Sequence, residues 1–175
     1  MKIDKLMSTK VFSCGAEDDL SIAARIMWEN DVGCVPVVDS RSRVIGMLTD
    51  RDVCMAAYTQ GRRLYEIRVG SVMSKNVQVC AVTDEVRMAE EIMQREQMHR
   101  LPVVDEEQRL VGLLSLNDIA REAADERFLL DKQLALDEVA LTLAKISAHR
   151  QHPAEDLVVQ APAKRPNAAA CTLAK

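Results

Sequence analysis

Hydrophobic and polar positions alternate in a recognisable order along the first third of the chain. Apolar residues after Leu20 recur at three- and four-residue steps, which predicts a helix with one face on a core. Runs rich in β-branched residues follow at 34–38 and 44–48, and Thr49 then begins a second helix. With an extended segment at 11–14 in front, the predicted order is β-α-β-β-α. The core stripe of the first helix is Leu20, Ala23, Ala24, Met27 and Trp28.

Polar residues mark the ends of the first predicted helix. Asp18 or Asp19 precedes Leu20 and suits the N-cap, where a side-chain oxygen accepts a hydrogen bond from a free backbone N–H. Asn30-Asp31-Val32-Gly33 follows the stripe, and we expect this stretch to end the helix, with Gly33 near the C-terminal cap, where glycine is common.

The same order of elements returns 66 positions later. Val35-Pro36-Val37-Val38-Asp39 corresponds to Leu101-Pro102-Val103-Val104-Asp105, and Met7-Ser8 to Met73-Ser74. An ungapped internal register of this length indicates a duplicated structural unit. A half of about 50 residues buries little alone, so we expect the two halves to pack together. The second helical stripe is Val86, Ala89, Ile92 and Met93, and the second strands are 101–104 and 110–114.

The pattern changes after residue 124. Residues 118–150 contain no glycine or proline, and their apolar spacing predicts one long amphipathic helix. Two interpretations of this helix stay open: it folds back on its own domain, or it forms a seam with a second subunit. Residues 151–175 lose all periodicity and collect prolines, which predicts a disordered tail. The apolar positions of the helix are Leu129, Leu136, Val139, Leu143 and Ile146, widened by Leu130, Leu134 and Leu141.

These patterns divide the chain into four predicted segments. The first repeat with its connector occupies 1–66, the second repeat 67–124, the C-terminal helix 125–150 and the tail 151–175.

Composition excludes several classes of function. A net charge of −4 and 3% aromatic residues argue against nucleic acid as a partner. Five cysteines without a C-x-x-C spacing do not predict a disulfide framework or a zinc site, and His149 with His152 are expected to be solvated, so we predict no metal. No apolar run approaches the roughly 18 residues of a membrane span, and no secretory signal begins the chain. We expect a cytoplasmic protein without a membrane partner.

Candidate chemistry lies where the last strand of each half meets the following helix. Thr49-x-x-Asp52 and Ser115-x-x-Asp118 both follow a glycine and an apolar strand. One interpretation is purely structural, because this spacing resembles a capping box. The other is a nucleotide cleft, since a helix N-terminus attracts phosphate and a carboxylate can accept two hydrogen bonds from a ribose diol.

At these residues the chain resembles the cystathionine β-synthase (CBS) domain family, as a tandem pair of such domains known as a Bateman module. The resemblance covers residues 1–124 and rests on the two Met-Ser pairs, the two V/L-P-V-V-D runs and the two G-h-h-[T/S]-x-x-D endings, where h is apolar. It implies an α+β fold of two β-α-β-β-α repeats related by a pseudo two-fold. It also implies two clefts that take adenosine nucleotides.

The resemblance further implies a role for individual residues. Asp52 and Asp118 would hold ribose hydroxyls, while Thr49 and Ser115 would contact phosphate or ribose. Adenine would lie in one of two apolar slots, lined in one site by Val11, Val35 and Pro36 and in the other by Val77, Leu101 and Pro102.

A second resemblance concerns the phosphate end of the ligand. Met98-His99-Arg100-Leu101-Pro102-Val103 is similar to the H-R-x-P-V segment of the regulatory γ subunit of AMP-activated protein kinase, which implies that His99 and Arg100 face phosphates. Arg51 is a further candidate phosphate ligand. Gly33-Cys34 occupies the equivalent positions of the first half, so we expect the two clefts to differ. The alternative for Arg51 and Arg100 is a surface salt bridge.

No catalytic constellation is evident in the sequence. A Walker loop, a G-x-S-x-G motif and an H-E-x-x-H motif are all missing, so we predict a protein that is not an enzyme. The leading hypothesis is a regulatory module, expected to be a homodimer, that binds AMP, ADP or ATP as a regulatory ligand and signals to a protein partner. The alternative is a non-catalytic assembly module with empty clefts. An enzyme acting on nucleotides through His99 ranks last.

Overall fold

A computed structural model describes residues 1–125 and 136–148 of the chain. They form two three-stranded sheets, with helices packed against each. The elements in chain order are β1 (Cys14–Gly15), α1 (Leu20–Glu29), β2 (Cys34–Val38), β3 (Val44–Thr49), α2 (Asp50–Gln60), β4 (Cys80–Ala81), α3 (Val86–Glu96), β5 (Arg100–Val104), β6 (Leu110–Ser115), α4 (Leu116–Asp125) and α5 (Leu136–Ile146). Short 3₁₀ helices occur at Ile3–Lys5, Leu64–Glu66 and Val69–Ser71.

The two sheets have the same topology and the same register. β1 runs parallel to β2, which pairs antiparallel with β3, and β4, β5 and β6 repeat this arrangement. Cys14 lies opposite Val37 just as Cys80 lies opposite Val103, so the 66-residue spacing holds in the hydrogen-bonded ladder. The predicted α+β fold of two β-α-β-β-α repeats is confirmed. The extended segment expected at 11–14 becomes a strand only at its last residue.

The first helix begins as predicted and ends within the expected stretch. The Asp19 side chain accepts hydrogen bonds from the backbone N–H groups of Ser21 and Ile22, which makes it the N-cap. The helix ends at Glu29, and Asp31 takes the left-handed conformation with φ 51°. The C-cap residue is Asn30, within the stretch 30–33 that was expected to end the helix. Gly33 is not at the cap, because Asp31 tolerates the left-handed conformation and turns the chain two residues sooner.

Trp28 does not belong to the buried stripe of α1. The side chain is 88% exposed, whereas Leu20, Ala23 and Met27 are buried. These three residues follow the steps i, i+3 and i+7, and Trp28 stands one residue, or about 100°, beyond that face. The prediction that Trp28 packs in the core was therefore wrong.

Each repeat is completed by the segment that precedes the other repeat. Ile3 is fully buried in the core of the second repeat, whereas Ile67 and Val69 are buried in the core of the first. Ser8 forms a β-bridge with Leu113 of β6, and the bridge between Ser74 and Met47 of β3 is its counterpart. This exchange packs the halves together, as their small size predicted.

The glycines of the two strand motifs make room for these crossing segments. A Cβ added at Gly46 would clash with the sulfur of Met73, and one added at Gly112 would clash with the sulfur of Met7. The methionine of each Met-Ser pair thus packs directly on the glycine of the other repeat's strand motif. A larger residue at either glycine would force the facing methionine side chain to move.

The C-terminal helix α5 packs on α3 and α4 of the same chain. Val139, Thr142 and Ile146 form its buried face, while Leu136, Leu141 and Leu143 are about half exposed. Of the C-terminal helix predicted over 125–150, the part at Leu136–Ile146 is confirmed, and residues 126–135 and 149–150 lie outside the described residues. The predicted positions Leu129, Leu130 and Leu134 lie outside the described residues, as do His149, His152 and the tail at 151–175.

Polar side chains occupy part of the contact between α3 and α5. The Gln94 Nε2 donates to Thr142 Oγ1 at 2.7 Å, and Thr142 Oγ1 lies 3.5 Å from Oε1 of the buried Glu90. Burial, followed by the nearby Glu138 carboxylate, raises the pKa of Glu90 above the usual value of a glutamate. The helix α5 therefore buries a carboxyl group that ionises less readily than one in water.

Candidate functional site

Both strand-to-helix junctions form a complete capping box. Thr49 Oγ1 accepts from the Asp52 N–H at 3.2 Å, and Asp52 Oδ2 accepts from the Thr49 N–H at 2.9 Å and its hydroxyl at 2.7 Å. Ser115 and Asp118 repeat these contacts at 3.2, 3.0 and 2.6 Å. The capping interpretation of the sequence is therefore correct. It leaves the Oδ1 oxygen of each carboxylate outside the capping box.

Two clefts open beside these junctions. The first, here called the Thr49 cleft, has a volume of about 680 Å³, and the second, the Ser115 cleft, about 300 Å³. Both volumes fall within the range of small-molecule sites in proteins, roughly 300–1,000 Å³.

Each cleft combines the helix start of one repeat with the apolar slot of the other. Thr49 and Arg51 of the first repeat face Val77 and Pro102 of the second across the Thr49 cleft. In the Ser115 cleft the pairing is reversed, with Ser115 and Asp118 opposite Val11 and Pro36. This pairing arises because the segment before each repeat packs against the other repeat, as Ile3 and Ile67 do. The spacing of residues along the sequence did not reveal it.

Most of the residues singled out from the sequence line one of the clefts. Those of the Thr49 cleft are Thr49, Arg51, Val77, His99, Arg100 and Pro102. Those of the Ser115 cleft are Val11, Pro36, Arg100, Ser115 and Asp118. Asp52 does not line a cleft surface itself but hydrogen-bonds Thr49, which does.

Two of the predicted adenine-pocket residues lie elsewhere. Val35 and Leu101 are fully buried in the cores of their own repeats and line neither cleft. Successive residues of a strand point to opposite faces, so the neighbouring Pro36 and Pro102 reach the clefts when Val35 and Leu101 point into the core. Sequence reasoning placed both neighbours of each pair in one slot, which the pleat of the strand does not allow.

The candidate phosphate ligands are not engaged in salt bridges. Among the residues that the structure describes, neither Arg51 nor Arg100 lies within ion-pair distance of a carboxylate, although Arg43, Arg109 and Arg121 do. The salt-bridge alternative for Arg51 and Arg100 therefore has no support in the described part of the chain. Both arginines are exposed residues and line the Thr49 cleft.

The carboxylates of the two capping boxes have different surroundings. The Arg121 guanidinium donates to Asp118 Oδ1 at 2.5 Å, whereas the equivalent position of the first repeat is Met55, which has no charge. Oδ1 of Asp118 is thus occupied by a cation from the next helical turn. The two clefts differ in volume and in the charged residues that line them, and a difference between them was expected from the unequal repeats.

Sequence reasoning missed polar residues that line the clefts. Four members of the Thr49 cleft are Asp50, Ser74, Asn76 and Gln78. Those of the Ser115 cleft are Ser8, Lys10, Asp31, Asn117 and Arg121. A signal was present for some of them, because Lys10 and Asn76 each stand two residues after the serine of a Met-Ser pair.

The buried cysteines all have raised pKa values, and of them Cys34 lines the clefts. Cys14, Cys34 and Cys80 are buried and Cys54 is exposed, while Cys171 lies outside the described residues. Burial raises the pKa of Cys34, and the nearby Asp50 carboxylate raises it further, although Arg100 partly opposes them. The pKa of Cys14 is raised to about 11 and that of Cys80 to about 12, again chiefly by burial.

Membrane spans and metal clusters are both missing from residues 1–125 and 136–148. No helix in these ranges is long and apolar enough to cross a membrane. No group of three or more His, Cys, Asp or Glu side chains there is arranged so that it could hold a metal ion.

Comparison with known proteins gives consistent matches over the two repeats. A family model described as CBS domain matches residues 3–58 and again 69–125. An uncharacterised 17.7 kDa protein of Acidianus ambivalens is 32% identical over 124 residues, which are 71% of this chain and 74% of that protein.

Solved structures match a similar share of this chain. The CBS domain pair of protein MJ0100, in complex with 5′-methylthioadenosine and S-adenosyl-L-methionine, superimposes with a TM-score of 0.66 at 20% identity. This match covers 73% of the present chain and 98% of that chain. CBSX2 in complex with AMP has a TM-score of 0.63 at 22% identity and covers 71% and 96% of the two chains. At these identities the two structures establish the fold.

Proposed function

Because the chain belongs to the CBS domain family, we propose that it is a regulatory module that binds adenosine nucleotides of the AMP, ADP and ATP class in its two clefts. The proposal rests chiefly on the composition of each cleft. In the Ser115 cleft the hydroxyl of Ser115 and the carboxylate of Asp118 face an apolar slot from the other repeat. In the Thr49 cleft the Thr49 hydroxyl, backed by Asp52, faces such a slot next to Arg51 and Arg100, which have no ion-pair partner among the described residues. Two proteins of the same fold, the MJ0100 domain pair and CBSX2, carry adenosine-containing ligands.

Each part of the nucleotide has a counterpart in the Thr49 cleft. Adenine is assigned to the slot beside Val77 and Pro102, and the ribose diol to the helix start at Asp52. The phosphates are assigned to Arg51 and to the pair His99 and Arg100, whose N–H groups can form charge-assisted hydrogen bonds with phosphate oxygens. The smaller Ser115 cleft repeats the plan with Val11 and Pro36 for adenine, and Ser115 with Asp118 for phosphate and ribose.

The proposed mechanism follows from the exchange between repeats. A ligand in either cleft contacts both repeats at once, and it therefore favours whichever arrangement of the two halves brings those contacts together. A protein partner, or a second copy of the chain in the proposed homodimer, would respond to that arrangement. The half-exposed leucines of α5 offer one surface for this second copy.

A thermal-shift titration tests the proposal. AMP, ADP, ATP and S-adenosylmethionine are each added to the purified protein, with Asp52→Ala and Asp118→Ala as cleft variants. A ligand present at a hundred times its dissociation constant stabilises the folded state by about 2.7 kcal/mol, which raises the melting temperature measurably. We expect a rise with at least one ligand and a smaller rise in one variant. No rise with any ligand at millimolar concentration would reject the proposal.

The capping boxes favour one alternative, a non-catalytic assembly module with empty clefts. Both boxes are complete without any ligand. This alternative predicts that Asp52→Ala and Asp118→Ala lower the melting temperature in buffer and leave no ligand response to lose.

A further inference from the structure

Two equivalent residues stand where the clefts meet. Cys34 is the first residue of β2 and Arg100 the first residue of β5, and they are 66 positions apart. Each lines both the Thr49 cleft and the Ser115 cleft. In a molecule of two related halves, residues shared in this way lie at the boundary of the two sites.

The backbone explains why Arg100 reaches both clefts. Arg100 is the ladder partner of Ser115 in the antiparallel pair of β5 and β6, so its backbone adjoins the helix start of the Ser115 cleft. His99, the residue before it, lines the Thr49 cleft. Arg100 is an exposed residue and borders both clefts.

The other basic residues of the region each line only one cleft. Arg51 and His99 line the Thr49 cleft alone, while Lys10 and Arg121 line the Ser115 cleft alone. Arg121 is also held by Asp118. Cys34, the counterpart of Arg100, is a thiol whose raised pKa keeps it uncharged at neutral pH. Among the described lining residues, Arg100 is thus the one cation that both clefts share.

We propose that Arg100 binds the phosphates of ligands in both clefts and thereby couples the occupancy of one cleft to the other. A phosphate in one cleft draws hydrogen bonds from Arg100 and leaves fewer for a phosphate in the second, so phosphorylated ligands bind with negative cooperativity. Adenosine, which has no phosphate, fills the two clefts independently. This inference rests on the proposed function and adds to it a rule for how the two sites regulate each other.

The first test measures AMP and adenosine affinities by isothermal titration in variants that keep one working cleft. Asp118→Ala leaves the Thr49 cleft and Asp52→Ala leaves the Ser115 cleft. Adding Arg100→Gln to either variant should weaken AMP by about tenfold or more, the worth of one hydrogen bond to a charged group, and should leave adenosine within about twofold. Arg51→Gln is the matched control, since it should weaken AMP only in the variant that retains the Thr49 cleft.

The outcomes separate the inference from the function on which it rests. A loss of AMP affinity in one cleft only, or an equal loss for adenosine, would overturn the shared role of Arg100. The coupling is equally overturned if the stepwise AMP constants of the unaltered protein equal those of the two single-cleft variants. If neither AMP nor adenosine binds the unaltered protein, the proposed function itself fails. Melting curves of Arg100→Gln establish that the variant is folded.

Discussion

Replacing Asp52 by alanine should destabilise the protein even when no ligand is present. The substitution removes the acceptor of two hydrogen bonds, at 2.9 Å from the Thr49 N–H and 2.7 Å from its hydroxyl. It also removes a negative charge from the first turn of α2. One such hydrogen bond contributes about 0.5–1.5 kcal/mol and a carboxylate at a helix N-terminus about 0.3–1 kcal/mol, so we expect a loss of roughly 1–2 kcal/mol.

The second repeat supplies a matched comparison. Asp118→Ala removes the same capping contacts at Ser115 and, in addition, the Arg121 ion pair. Because the Arg121 side chain is largely exposed, that pair adds only about 0–1 kcal/mol. We therefore expect Asp118→Ala to cost as much as Asp52→Ala or slightly more.

Urea unfolding of the ligand-free protein measures both losses. The midpoint should fall while the slope with urea concentration stays constant, since the surface exposed on unfolding hardly changes. Variants whose unfolding free energy stays within about 0.3 kcal/mol of the unaltered protein would refute the capping argument, since a typical capping loss is several times larger. In ligand titrations each variant must accordingly be compared with its own ligand-free state.

Three further predictions concern packing, ionisation and thiol chemistry. Gly46→Ala should lower the free energy of unfolding in urea by about 1–3 kcal/mol, because the new methyl group meets Met73. Adding Met73→Ala should recover part of that loss. Equal instability of the single and double variants would contradict the clash. Glu90→Gln should raise the urea midpoint at neutral pH, since the pKa of Glu90 is higher in the folded than in the unfolded chain and its ionisation lowers stability as pH rises through that pKa. The gain should shrink as the solution is acidified, and a gain independent of pH would argue against this cause. In the native protein a thiol reagent should modify the exposed Cys54 and spare the buried Cys80, whose pKa is raised to about 12. Peptide mapping that finds both cysteines modified at equal rates would contradict the burial of Cys80.

The duplicated pattern made the elements of the fold predictable from sequence. The strands at 34–38 and 44–48 and the helix after Leu20 were each supported twice, because a second copy stood 66 residues later. Errors arose where a local pattern was ambiguous. Trp28 is apolar and close to the stripe, and only the packing of α1 shows that it points to solvent.

The clefts were less predictable because they depend on contacts between distant residues. Thr49 and Ser115 were recognised from short motifs, but their partners across each cleft come from the opposite repeat. Nothing in the local sequence reports that Ile3 packs in the second repeat, which is what brings Val11 to Ser115. The alternation that turns Val35 into the core and the neighbouring, also buried, Pro36 toward the Ser115 cleft is a property of the strand and was available in principle.

The assignment of both clefts to nucleotides can be tested by direct binding of AMP, measured by equilibrium dialysis with the unaltered protein beside the Asp52→Ala/Asp118→Ala double variant. We predict saturable binding to the unaltered protein at millimolar concentration or below. We also predict that the double variant, kept at a temperature where it remains folded, loses most of that binding. Saturable binding that the double variant retains in full would contradict the assignment of the clefts. Absence of saturable binding by AMP, ADP and ATP alike would contradict the proposed function.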